Sequence, residues 1–186
     1  MGRNSNTPRD RLLNAATELF CHNGFAATGV DTIVHRAGTA KSTLYAHFKS
    51  KENLIDAVLT REGQAWRDWF FARLNATPGT PAHKLTAVFD ILEEWFCDPE
   101  FYGCPFINAI SEASSGNERL RAAAAAHKLH TNLWMKAQAL EMGHPDPDAL
   151  VRDMTVLIDG AIVAAQVSGD PSFARTAKQL IAHSLP

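Results

Sequence analysis

The sequence predicts an all-α protein, with a small three-helix head built on a helix-turn-helix followed by a larger helical body, about nine helices in total. Three observations predict it. Apolar residues recur at helical spacing, and no run alternates apolar and polar residues long enough to read as a strand. Capping side chains stand directly before proline at Thr7-Pro8, Thr80-Pro81, Asp146-Pro147 and Asp170-Pro171, where the missing proline N–H would be unpaired anyway. Of the 186 residues 46% are apolar, enough to fill a core at this length.

The first helix is expected from Pro8 to about Asn23, with Leu12, Ala15, Ala16, Leu19 and Phe20 on one face and Gly24 ending it in left-handed geometry. Two short helices follow, about Val30–Ala37 and Lys41–His47, with Gly38 in the turn and Thr39 as cap of the second. Ser50 caps a long helix to about Asn75, with Glu52 at its positive end. The turn-rich Thr77–Pro81 breaks the body. Further helices are expected at about 82–96, 105–114, 118–142, 148–167 and 172–184. The domains expected are residues 1–50 and residues 51–186.

Bulk composition excludes several classes. No apolar run reaches the ~20 residues that span a bilayer, and the polar first residues lack the apolar stretch of an export signal, so a cytoplasmic protein with no membrane partner is expected. Cys21, Cys97 and Cys104 cannot all pair within the chain, and none forms a CxxC. Residues 1–52 carry seven Lys/Arg against four acids, and the rest eleven against sixteen. A basic head on an acidic body points the head at a polyanion.

The stretch Thr28–Leu54 carries most of the information. Ile33, Val34, Ala37, Leu44 and Phe48 suit a small shared core. That leaves Ala40, Lys41, Ser42, Thr43, Tyr45 and His47 at or near the surface, on a short helix able to enter a major groove ~12 Å wide. The pattern Ile33, Ala37-Gly38, Leu44-Tyr45-Ala46-His47-Phe48 and Ser50-Lys51-Glu52-Asn53-Leu54 resembles the TetR family of bacterial regulators. Leu19-Phe20, Asn23-Gly24-Phe25 and Thr28 fit it too, so the resemblance spans about residues 9–58. Val34 and Thr39-Ala40 depart from the usual residues. The resemblance implies a homodimer on double-stranded operator DNA. In it Thr28, Thr39, Tyr45 and Lys51 contact phosphates, Lys41, Ser42 and Thr43 approach base edges with Ala40 beside them, and His47 does either.

It also implies a ligand-binding and dimerisation body. Aromatic residues concentrate there, and Trp66, Trp69, Phe70, Phe89, Trp95, Phe106 and Trp134, with Asn108, are the expected lining for an effector of unknown identity. Ser111, Glu112, His127 and His130 are candidate polar anchors. The last two helices are expected to form a four-helix dimer contact through Met154, Leu157, Ile158, Ala161, Ala165, Phe173 and Leu180. The function expected is a ligand-responsive regulator, most simply a repressor released by a small apolar or aromatic effector. Two alternatives stand beside it. One is a thiol switch at Cys104, placed before Pro105 at a helix N-terminus. The other is a helical interaction protein without DNA binding.

An enzyme is not expected. His127 and His130 share a helix face as a possible metal pair, yet no HExxH, third ligand, P-loop, GxSxG or GxGxxG accompanies them. Neither cofactor nor metal is expected.

Overall fold

The computed structural model describes residues 7–113 and 116–185. Among them are nine α-helices: α1 Pro8–Asn23, α2 Val30–Arg36, α3 Lys41–Phe48, α4 Lys51–Ala76, α5 Pro81–Phe96, α6 Pro105–Glu112, α7 Glu118–Glu141, α8 Pro147–Ser168 and α9 Phe173–Ala182. Arg3 of the basic head and Ser114, the expected end of the sixth helix, lie outside the described residues.

Caps explain most of the starts. Thr7, Thr80 and Asp146 accept from the backbone N–H of Asp10, His83 and Ala149, each followed by proline in the first turn. Ser50 accepts from Asn53 N–H at 3.1 Å, and bonds from its own backbone and from Ser50 hold Glu52 below the usual carboxylate range. Two expected caps are corrected. α9 begins at Phe173 after Ser172, because the Asp170 carboxylate accepts from Ser172 N–H at 2.8 Å and shapes a turn instead. α3 is capped by Ala40, with no side-chain bond, rather than by Thr39.

Packing divides the chain into two compact units. The first contains the described residues up to Gln64 and Pro105–Ala124; the second contains Ala65–Cys104 and the described residues from Ala125 onward.

In the first unit Leu12, Ala16, Phe20, Ile33, Leu44, Phe48 and Leu54 form a closed core, with Phe20 and Phe25 stacked at 4.8 Å. α2 ends in a Schellman turn: Thr39 N–H donates to Val34 O at 3.0 Å and Gly38 N–H to His35 O at 3.2 Å. Gly38 sits at φ 60, where a β-carbon is strained. Arg11 Nε donates to Ala37 O at 3.1 Å and ties α1 to this turn. Gly24 ends α1 at φ 84 and ψ 162, so its φ is positive as expected but the conformation is not left-handed helical. That geometry lets the Glu112 carboxylate approach, and a β-carbon on Gly24 would lie 2.8 Å from Glu112 Oε2.

The second unit packs α9 against α5 and α8 around Leu85, Val88, Leu92, Met154, Ile162, Ala174, Ala177 and Ile181. Lys178 donates to Asp90 at 2.6 Å and Arg175 pairs with Glu93, both joining α9 to α5.

Candidate functional site

α3 is rooted by Leu44 (0% exposed) and Phe48 (4%) in the first unit's core. Its remaining residues turn outward: Lys41, Ser42, Tyr45 and His47 are exposed and Thr43 is half-buried. Ala40 at its cap is exposed, and the positive end of the helix carries no acidic side chain of its own. Lys41 Nζ stands 2.9 Å from Asp31 Oδ1 in the first turn of α2, and that hydrogen bond and charge raise the Lys41 pKa. Lys51 Nζ donates to Ala26 O at 3.4 Å.

Two expected phosphate contacts stand differently. Thr28 is buried, and its hydroxyl donates inward to Gly24 O at 2.7 Å and Leu19 O at 3.2 Å, so the side chain serves the α1–α2 loop. Thr39 is half-buried, and its hydroxyl oxygen is buried with no protein partner. At both positions only the backbone or the helix end is left to meet an anion.

Sequence reasoning missed two features of this unit. Glu112 Oε2 accepts from Ala26 N–H at 2.7 Å across 86 residues. Arg119 on α7 pairs with Asp56 and donates to Asn53 at 2.6 Å. Neither has a local signal; both depend on tertiary approach.

In the second unit the expected effector residues separate. Trp66 stacks on Phe70 at 4.5 Å and meets Trp95 edge-on at 5.6 Å, so these three come together. Phe89 is core at 1% exposed. Trp69 lies under Arg73, whose guanidinium carbon is 4.3 Å from the ring and which also binds Glu94 at 2.5 Å. Trp134 is half-buried on α7. Phe106 and Asn108 belong to the first unit. Of the polar anchors, Ser111 donates to Ile107 O at 2.9 Å within its own helix. His130 Nδ1 lies 3.2 Å from Ala126 O. His127 lies 5.5 Å from Trp66, centroid to centroid, and accepts at Nδ1 from Arg67 Nη1 at 3.0 Å. Burial, then the charge of Arg67, pushes the His127 pKa down to about 4.

The expected dimer residues also divide. Met154 (0% exposed), Ala161 and Ala165 are buried within the chain itself, which corrects their assignment, since a residue covered by its own fold cannot meet a second copy. Leu157 and Ile158 are half-buried, while Phe173 and Leu180 are exposed. The outward stripe of α8 is Val156 (71% exposed), Gly160, Val163 and Val167 (83%), spaced four, three and four residues apart on one narrow face. Cys104 directly precedes α6, as expected, and is buried.

Among the described residues no cluster of three or more His, Cys, Asp or Glu is placed to hold a metal ion, and no helix is long and apolar enough to cross a membrane.

This architecture has relatives. Residues 12–58 match the model of bacterial regulatory proteins of the tetR family, and residues 81–181 match the tetracyclin repressor-like C-terminal domain. The chain is 39% identical over 84 residues to the transcriptional repressor KstR2 of Mycolicibacterium smegmatis, covering 44% of this chain and 39% of that one. It is 42% identical over 113 residues to the transcriptional regulator QacR of Staphylococcus aureus, covering 60% of each. These two alignments thus span less than two thirds of the relatives' lengths. A TetR-family regulator from Streptomyces coelicolor superposes with a TM-score of 0.81 at 28% identity, covering 95% of this chain and 91% of that one. A second structure, a TetR-type regulator from Streptomyces avermitilis, gives 0.80 at 26% identity, covering 96% and 98%. With both family models matched in order along a chain whose third helix stands exposed, the chain belongs to the TetR family of bacterial regulatory proteins.

Proposed function

We propose that the protein is a dimeric repressor that leaves its operator when a small apolar or aromatic effector binds its body. The observation that carries the DNA-binding half is α3: Leu44 and Phe48 are fully committed to the core, so Lys41, Ser42 and Tyr45 are held outward on a fixed rod. Lys41 suits guanine O6 and N7, Ser42 and Thr43 neighbouring edges, and Tyr45 and Lys51 the flanking phosphates. His47, exposed at the end of α3, adds a phosphate or base-edge contact. Ala40, Thr39 and Thr28 contribute through backbone and helix ends.

The dimer contact proposed is the outer stripe of α8 with Phe173 and Leu180 of α9, and the exposure of these apolar side chains supports it. A two-fold dimer sets two recognition helices about 34–36 Å apart, one turn of B-DNA. In this proposal residues 1–50 bind DNA and residues 51–186 serve ligand binding and dimerisation, a functional division that differs from the compact units, whose boundary falls inside α4 after Gln64; the cytoplasm is the protein's place of action. α4 carries residues of both units. An effector with different affinity for two settings of this helix would change the half-site spacing and release DNA. Repression is supported by the relative named KstR2, a transcriptional repressor.

The Cys104 thiol switch is not favoured, because the sulfur is buried, whereas attack by an electrophile requires access. The test is a gel shift with the upstream region of the protein's own gene. Retarded duplex that is released by an apolar compound supports the proposal; no retardation at low salt contradicts it.

A further inference from the structure

Three observations in the second unit converge on the facing surfaces of α4 and α7. The Trp66 indole Nε1 is buried, and no protein acceptor meets it. An indole N–H can only donate, and buried donors in folded proteins nearly always have an acceptor. The same ring is walled by Phe70 at 4.5 Å, Trp95 at 5.6 Å and His127 at 5.5 Å. Arg67 places a cation beside His127, while Lys128 is paired with Asp159. Arg67 Nη1 donates to His127 Nδ1 at 3.0 Å, which leaves the imidazole proton on Nε2, and the charged groups acting on His127 are Arg67, Lys128 and His130. Farther along the His127 face of α7 lie Trp134 and Gln138, and Gln138 Oε1 is a second buried polar atom with no protein partner.

We infer that Trp66 and Arg67 form the polar end of the effector site and that the effector is an apolar acid: a carboxylate or similar anion on an aryl or alkyl body, with one oxygen accepting from Trp66 Nε1. The inference rests on the proposed reading that an effector binds the second unit. Each part of the ligand answers one feature. Trp66 requires an acceptor, Arg67 favours negative charge on it, and the aromatic surroundings of Trp66 favour an apolar body. A hydrocarbon of the same shape would fill the walls and leave the indole N–H unpaired, which is the costly case. Gln138, eleven residues from His127 and so roughly 16 Å along the helix, is placed to accept from a donor group at the far end of an elongated ligand.

The test uses the full-length protein with ¹⁵N-labelled tryptophan, whose four indole N–H signals are assigned through W66F, W69F, W95F and W134F. Three probes of one shape are titrated: 2-naphthoate, 2-naphthamide and 2-methylnaphthalene. The expected result is that naphthoate moves the Trp66 N–H signal downfield and binds at least tenfold tighter than methylnaphthalene, with naphthamide between them. W66F, which keeps an aromatic ring and removes the donor, should lose at least tenfold in naphthoate affinity. If W66F does not fold, the wild-type Trp66 signal decides alone. The inference is overturned if no probe moves that signal, if methylnaphthalene binds as well as naphthoate, or if folded W66F binds naphthoate unchanged. Operator release is measured alongside. Methylnaphthalene that releases DNA without moving Trp66 leaves the effector reading standing and sinks this one; no release by any probe counts against both.

Discussion

Lys41 Nζ lies 2.9 Å from Asp31 Oδ1, so the cation at the start of the recognition helix is already paired with the first turn of α2. Both side chains are well exposed, and solvent makes such a pair easy to break. A base contact by Lys41 must displace Asp31 or share the lysine with it. Lys41→Ala is therefore expected to weaken operator binding by roughly tenfold or more and to relax preference at one base pair. Asp31→Asn removes the competitor and a repelling charge, and should tighten binding to all duplexes. Fluorescence anisotropy against a panel of single-base operator variants checks both.

Lys51 donates only a 3.4 Å bond to Ala26 O and is proposed to meet phosphate. Lys51→Ala should weaken all sequences alike and reduce the slope of log K against log salt by about 1. A salt titration on operator and non-operator duplex measures this. Loss confined to the operator would reassign Lys51 to base readout.

Glu112 accepts from Ala26 N–H at 2.7 Å and fills the space that Gly24 leaves. Glu112→Ala should speed hydrogen exchange at the Ala26 amide and weaken DNA binding several-fold, while Glu112→Gln, which keeps an acceptor, stays near wild type. Gly24→Ala should be worse than either, because its φ of 84 is strained for a side chain and the new carbon meets the carboxylate.

His127 carries a pH prediction. Its pKa is held at about 4, against 6.5 in the unfolded chain, so between these values the unfolded state binds a proton that the folded state refuses. Its contribution to stability is complete above pH 6.5 and is lost as pH falls toward 4. Between about pH 7.5 and pH 4.5 the wild type should lose at most roughly 2–3 kcal/mol more than His127→Gln, as read by urea denaturation. Equal losses would mean that the imidazole is not desolvated.

The two faces of α8 separate cleanly. Val156→Asp with Val163→Asp should give monomers in sedimentation and abolish operator binding, with helicity kept. Met154→Ala should instead cost roughly 2–5 kcal/mol of stability, because that side chain is 0% exposed within the chain.

Local chemistry was legible in the sequence and tertiary choice was not. Thr7, Thr80 and Asp146 cap as expected because a short oxygen side chain followed by proline decides the matter within one turn. At Asp170 the same pair misleads, since the carboxylate takes the Ser172 amide before a helix can begin. The Ile33, Leu44 and Phe48 core and the outward Lys41 and Tyr45 follow from spacing alone. In α8 spacing is ambiguous: Ala161 and Ala165 serve close packing equally well inside the chain or across a dimer, and only their burial in the fold shows that they are inside. The grouping of Trp66 with Arg67 and His127 joins residues 60 apart, and no local pattern announces it.

Selection of binding sites from a random duplex library tests the central claim most directly. Enrichment of a near-palindrome whose half-sites are one helical turn apart is expected, with a change of preferred base when Lys41 or Ser42 is replaced. Enrichment of no sequence, or of one indifferent to substitutions in α3, would contradict it.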